Sequence, residues 1–268
     1  QPLIGQFNEL LSRLAASYEQ LEGFNADVAH ELCTPLATLI GSTELALRKA
    51  RGAEELREVL GSNLEDLQRV AGIVQDMLFL SQCDRGAHAR RTRVDSLAGV
   101  ALKIADYHEA AYAEAGLDLM VTGEASGDFD AALLQRALSN LLANATRHAE
   151  RGSVVRIEIS RTGEEVRLVV VNRGAPIAPE HLPRLFDRFY RVDRSRSEAD
   201  RSHGLGLSIV AAIAKMHGGR PIARCIDGET AVGILLRANA STPEHESEPS
   251  GPVAAASGLA TTNAEEAL

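Results

Sequence analysis

The sequence predicts a fold of two kinds, α followed by α/β: a helical hairpin that pairs into a four-helix bundle, then an α/β sandwich. Three observations carry the prediction: two stretches with a four-three apolar rhythm, a polar basic break after them, and a second half that alternates helical with strand-like patterns. In the first stretch Phe7, Leu11, Leu14, Tyr18 and Leu21 keep the rhythm, and Val28, Leu32 and Leu39 resume it after a gap. The pattern stops around "RKARGAEE" (48–55), and Leu56, Leu60, Asn63, Leu67, Val70, Val74 and Met77 repeat it. Two long helices joined by a short turn have one narrow apolar face to bury, so two copies are expected to form a homodimeric bundle. A monomeric hairpin packed on the next domain is the alternative.

Residues 84–93, "DRGAHARRTR", read as a linker between a helical unit at 19–83 and a second unit at 94–240. The second unit opens with a helical pattern over 94–116, a strand-like "LDLMV" and a helical pattern over 130–150. The alternating runs "VVRIEIS" and "VRLVVVN" around the turn "RTGE" predict a strand pair. A helix over "LGLSIVAAIAKMHGG" ends in a glycine pair, and two short strands follow near 221–226 and 232–237. The segment 241–268 is rich in Ser, Pro, Ala, Thr and Glu, lacks periodicity and reads as disordered.

Composition narrows the function. With 268 residues, 45% of them hydrophobic, the chain has material for two cored domains, and its net charge of -9 argues against direct nucleic-acid binding. Cys33, Cys83 and Cys225 are scattered and odd in number, which fits neither a disulfide framework nor zinc spacing and points to a reducing, cytosolic setting. No run of about 18 apolar residues would cross a bilayer. The start at Gln1 suggests a piece of a longer protein with any membrane anchor upstream.

Three residues inside "VAHELCTPLATLIG" do not suit a packed helix. His30 lies roughly 200° around the helix from both Val28 and Leu32, so it faces water. Thr34 shares its face, and Glu31 can approach the ring from the side. Pro35 has no N–H for the Glu31 carbonyl, so a bend is expected one turn after the histidine, with room for a second body. An exposed neutral imidazole is a nucleophile, and a neighbouring carboxylate can take its other ring proton. A surface His beside Glu is ordinarily only solvated decoration.

A second constellation lies in "NLLANATRHA". Asn140 and Asn144 are one turn apart, with Arg147 and His148 one turn further. Amide oxygens suit magnesium, which takes a few protein oxygens with phosphate and water. Asparagines that cap or pack are the ordinary reading. Further on, Gly204, Leu205 and Gly206 open a helix, where backbone N–H groups can face phosphate oxygens.

The string "FNADVAHELCTPLATLIG" resembles the phospho-acceptor helix of sensor histidine kinases, with its pattern H-E-x-x-T-P-L. The resemblance implies that His30 is autophosphorylated, that Glu31 acts as base, and that Thr34 helps position water when the phosphorylated partner is dephosphorylated. Cys33 stands where the family most often has arginine. The asparagine helix, the segment "VNRGAPIAPEHLPRLFDRFYRVD" and "HGLGLSIV" together resemble the Bergerat-type ATP-binding domain of the same family. By that match Asn144 holds Mg2+ and Arg147 and Arg191 touch phosphate. Phe186 and Phe189 brace a lid between Val192 and His203. The first glycine loop departs from D-x-G-x-G, reading Asn172, Arg173, Gly174, Ala175, Pro176. Asn172 keeps an acceptor for the adenine amino group but loses a charge-assisted bond. That wording is similar to the heavy-metal (copper and silver) sensor kinases.

Residues 1–18 are similar to the closing helix of a HAMP relay. The resemblance therefore implies the cytoplasmic portion of an inner-membrane sensor, using ATP and Mg2+ to phosphorylate His30 and passing the group to a response regulator aspartate. Two rivals are a non-catalytic dimeric scaffold with a degenerate nucleotide site and an ATP-driven clamp that hydrolyses ATP with water.

Overall fold

The computed structural model describes residues 2–48, 51–192 and 203–238. The lid and tail expectations, on 193–202 and 241–268, fall outside the described residues. Helix α1 (Pro2–Arg48) and helix α2 (Ala53–Asp84) form the hairpin. α1 runs unbroken through position 18 and through Pro35, which is buried. On either side of the proline the Thr34 hydroxyl donates to the His30 carbonyl at 2.9 Å and the Thr38 hydroxyl to that of Thr34 at 3.2 Å.

The apolar stripe of α2 is wider than one seam. Ile73 and Leu80 are buried, and Val28, Leu32 and Met77 pack against the core cluster that contains them. Leu60, Leu64, Leu67, Val74 and Leu78, also in a four-three rhythm, stay exposed on the single chain. Asn63, read as a seam position, is the polar pin of the hairpin: it accepts from Ser42, and its amide donates to the Thr43 hydroxyl at 3.0 Å. Such a pairing favours one register of the two helices over its neighbours.

The second half is a sandwich of three helices on a mixed sheet. Its strands are β1 (Thr92–Val94), β2 (Asp118–Thr122), β3 (Gly127–Phe129), β4 (Val154–Thr162), β5 (Glu165–Arg173), β6 (Arg220–Ile226) and β7 (Glu229–Arg237). The five-stranded sheet has the order β2-β4-β5-β7-β6, with β2 and β4 parallel and the other pairs antiparallel. Helices α3 (Leu97–Ala115), α4 (Ala131–His148) and α5 (Gly206–Met216) cover one face. Period-2 alternation sends Val166, Leu168 and Val170 to that face, while Val169 and Val171 join Ala231 in a small apolar cluster on the other.

The short pair β1–β3 was not expected, because three residues are too few to show a strand period. It attaches the end of the interdomain segment to the start of α4, where Asp130 caps the helix through Leu133 N–H at 3.1 Å. His217, fully buried after α5, closes the same corner. Its Nε2 accepts the Asp130 N–H at 3.0 Å and its Nδ1–H donates to the Ile213 carbonyl at 2.8 Å.

The first of these bonds requires the neutral ring, since a protonated Nε2 cannot accept. Burial, aided by nearby Arg91, pushes the His217 pKa below its ordinary value against the opposing pull of the Ile213 carbonyl and Asp130. Burial also lowers that of His108. The unfolded chain therefore takes up protons near pH 6.5 that the folded chain refuses, so stability falls as pH drops below about 6.5. Urea titrations at pH 7.5 and 5.5 are expected to give a lower midpoint at 5.5, and equal midpoints would remove these histidines as the cause.

Candidate active site: an exposed histidine and an asparagine helix

Three elements place the predicted nucleotide residues together. α4 carries Asn140 and Asn144, both half-buried, with Arg147 and His148 exposed in its last turn. The apolar positions Leu134, Leu138, Leu141 and Leu142 bury the opposite face, and this amphipathic pattern turns the asparagines outward. α5 begins at Gly206, and a Cβ there would stand 3.5 Å from Asn140 Oδ1, so the asparagine helix and the α5 N-terminus lie side by side. Asn172 is buried near the end of β5, and Gly174 follows that strand against the end of α4: Ala149 and Gly174 form an isolated bridge, and any Cβ at 174 would collide with the His148 carbonyl oxygen. Only glycine allows that approach.

The segment before α5 is clamped. The Phe189 N–H donates to the Gly204 carbonyl at 3.0 Å, with Phe189 at φ 59° and Gly204 at φ 70°. Phe189 is buried, Phe186 packs on the core at half exposure, and Leu205 is buried between the two glycines. Arg191 is half-buried beside this anchor. A non-glycine residue held at positive φ is a strained element that its surroundings over-determine. Here it fixes both ends of the stretch from Tyr190 to His203.

His30 is exposed on α1, and Thr34 is exposed one turn on, its hydroxyl occupied by the His30 carbonyl. Glu31 is half-buried because the second half docks there. Its Oε2 accepts from His203 Nδ1 at 3.0 Å. Arg136 of α4 donates to Asp76 at 2.6 Å and lies over the Phe79 ring at 4.1 Å. Arg188 meets both oxygens of Asp84 at 2.7 and 2.8 Å, and the Cys83 thiol lies 3.4 Å from the Met216 sulfur. Burial raises the Cys83 pKa, aided by neighbouring Asp84, so this thiol stays protonated. Asp76, Asp84, Arg136, Arg188 and His203 were absent from the site read from sequence. No local spacing links them, since each pair joins residues far apart in the chain.

The arrangement combines an outward imidazole, an adjacent carboxylate and an asparagine helix set beside the start of α5, tied together within one chain. Residues 20–86 match the His Kinase A (phospho-acceptor) domain, and residues 129–246 match the family described as histidine kinase-, DNA gyrase B- and HSP90-like ATPase. The chain belongs to the sensor histidine kinases. This kinase chain is 42% identical over 222 residues to the sensor histidine kinase CusS of Escherichia coli K12, covering 82% of this chain and 46% of CusS. It is 42% identical over 206 residues to the sensor protein CopS of Pseudomonas syringae pv. tomato, covering 77% and 42%. The chain thus spans a little under half the length of these relatives. In fold the kinase chain resembles histidine kinase ThkA in its complex with response regulator protein TrrA, with a TM-score of 0.65 at 19% identity over 84% of this chain and 64% of that one. No described helix of the kinase chain is long and apolar enough to cross a membrane.

Proposed function

We propose that this chain is the catalytic core of a sensor kinase in which ATP, held between α4, the end of β5 and the start of α5, phosphorylates His30. The observation that carries the reading is the join between the two halves: the residue preceding the α5 glycine turn touches Glu31, the immediate neighbour of His30. In the step itself an imidazole nitrogen of His30 forms the N–P bond and the bond from the γ-phosphorus to ADP oxygen breaks. The electron pair leaves with ADP, and the proton of the other ring nitrogen passes to Glu31.

The cleft suits a magnesium nucleotide because it offers neutral amide oxygens beside a helix N-terminus. Asn144 would ligate Mg2+, which supplies charge neutralisation of the phosphates. Asn140, Arg147, His148, Arg191 and the N–H groups of Gly204 to Gly206 would bind and orient the phosphates. The buried Asn172 beside Gly174 would receive adenine.

The exposed row Leu60, Leu64, Leu67, Val74 and Leu78 supports pairing of two chains through the hairpins. The phosphoryl group would pass to an aspartate of a response regulator docking on that bundle, as the ThkA–TrrA likeness suggests, and Thr34 would serve the reverse hydrolysis. Likeness to CusS and CopS supports a heavy-metal stimulus, read by a sensor outside this chain and delivered to it, as the cytoplasmic portion, through a membrane anchor and a HAMP-like first helix.

Incubation with γ-labelled ATP and magnesium is expected to leave label that acid strips and alkali does not, and EDTA is expected to prevent it. Phosphate release with no labelled protein would favour an ATPase clamp. Absence of both label and nucleotide binding would favour a scaffold with a degenerate site.

A further inference from the structure

The Glu31–His203 pair carries an inference beyond the reading above, and it rests on that reading of Glu31 as the base. We propose that His203 is a positioning residue for phosphorylation of His30: its Nδ1–H holds one carboxylate oxygen of Glu31 and leaves the other for the His30 ring.

A carboxylate oxygen can only accept, so the proton of this 3.0 Å contact sits on His203 Nδ1. The two side chains are 22% and 30% exposed, which keeps the bond partly shielded from competing water. Among the described residues the second oxygen, Oε1, carries no hydrogen bond. Glu31 stands on a helix face with several rotamers open to it, and an unrestrained glutamate spends only part of its time toward the neighbouring ring. A bond from a fixed donor removes that freedom.

The donor is fixed from behind. His203 precedes Gly204, whose carbonyl is held by the Phe189 N–H at 3.0 Å, and Leu205 beyond it is 2% exposed. One turn of chain therefore faces two ways. Its Gly206 lies beside Asn140, and its imidazole reaches α1. Presentation of the phosphate site and orientation of the carboxylate are mechanically one event, and within one chain. The ties of Arg136 to Asp76, Arg188 to Asp84 and Met216 to Cys83 all meet α2 and leave Glu31 to this contact.

The test compares the whole chain with His203→Ala, His203→Asn, Glu31→Gln and the double variant His203→Ala/Glu31→Gln. Initial rates of His30 labelling are measured against ATP concentration with magnesium, alongside binding of a fluorescent ATP analogue. His203→Ala is expected to lower the maximal rate about tenfold, with KM for ATP and analogue affinity within about twofold of wild type. His203→Asn, whose amide NH2 takes the place of Nδ1–H, recovers most of the rate and guards against a folding artefact. In the Glu31→Gln background the His203→Ala change adds no further loss.

Three results would overturn the proposal: an unchanged maximal rate in His203→Ala, a loss confined to KM or analogue affinity, or a loss that multiplies on top of Glu31→Gln. The last two would assign His203 to the nucleotide loop while leaving Glu31 as base. A full rate in Glu31→Gln would instead remove the base itself, and with it this role for His203.

Discussion

His30→Gln is expected to abolish the acid-labile label, a loss of at least about 10³-fold, while the fluorescent ATP analogue still binds with wild-type affinity. Glutamine keeps the polarity and much of the length of histidine but has no ring nitrogen that can form an N–P bond. His30 is exposed on α1, and its described surroundings contain no packing that the change would disturb, so thermal stability should move by less than about 0.5 kcal/mol. The cleft that would bind the nucleotide is built on α4, β5 and α5, on the far side of the Glu31–His203 contact. Labelling that survives in His30→Gln would place the acceptor elsewhere and would break the link between the phospho-acceptor motif and the nucleotide half.

Gly204→Ala is expected to damage the other side of the reaction. At φ 70° a Cβ is unfavourable whatever the space, and here it would also sit 2.7 Å from the Phe189 Cα, which is backbone and cannot swing away. The clamp between Phe189 and Gly204 must open or shift, at a cost of about 2–4 kcal/mol. The N–H groups at the start of α5 are re-aimed with it. Affinity for the ATP analogue should fall more than about tenfold, since oriented N–H donors work only when fixed. Gly163→Ala is the control: φ is 62° there, but nothing lies within 4 Å of the added carbon. It should cost only about 1 kcal/mol and leave nucleotide binding intact. Equal effects of the two substitutions would show that the collision with Phe189 is relieved without consequence.

Much of this architecture was legible beforehand because it rests on local periods. The four-three rhythm predicts the two long helices, and α3, α4 and α5 lie within the patterns at 94–116, 130–150 and 205–219. Strands β4 and β5 were visible as alternating runs around one turn. Spacing on α4 likewise placed Asn140 and Asn144 one turn apart on one face, apart from the buried Leu134, Leu138 and Leu142. His30 in water follows from the same geometry. The short β1–β3 pair escaped because neither strand is long enough to show a period.

Other features are invisible to any period. The apolar stripe of α2 reads as one seam, yet packing divides it into a closed side with Ile73 and Leu80 and an open side with Leu60 and Leu78. The division depends on where α1 lies, which the stripe does not encode. The clamp of Phe189 on Gly204 likewise needs both ends of the intervening stretch to meet in space.

By itself, then, the sequence determined the long helices, the β4–β5 strand pair, the outward histidine and the glycine-opened helix, because helix and strand geometry are set within a few residues. Only the tertiary structure decided how the two halves engage. Arg136 meets Asp76, Arg188 meets Asp84 and His203 meets Glu31 across 60, 104 and 172 positions of chain. Those contacts follow from α5 packing against α2 through Cys83 and Met216, and side-chain complementarity between surfaces brought together by folding leaves no local trace along the chain.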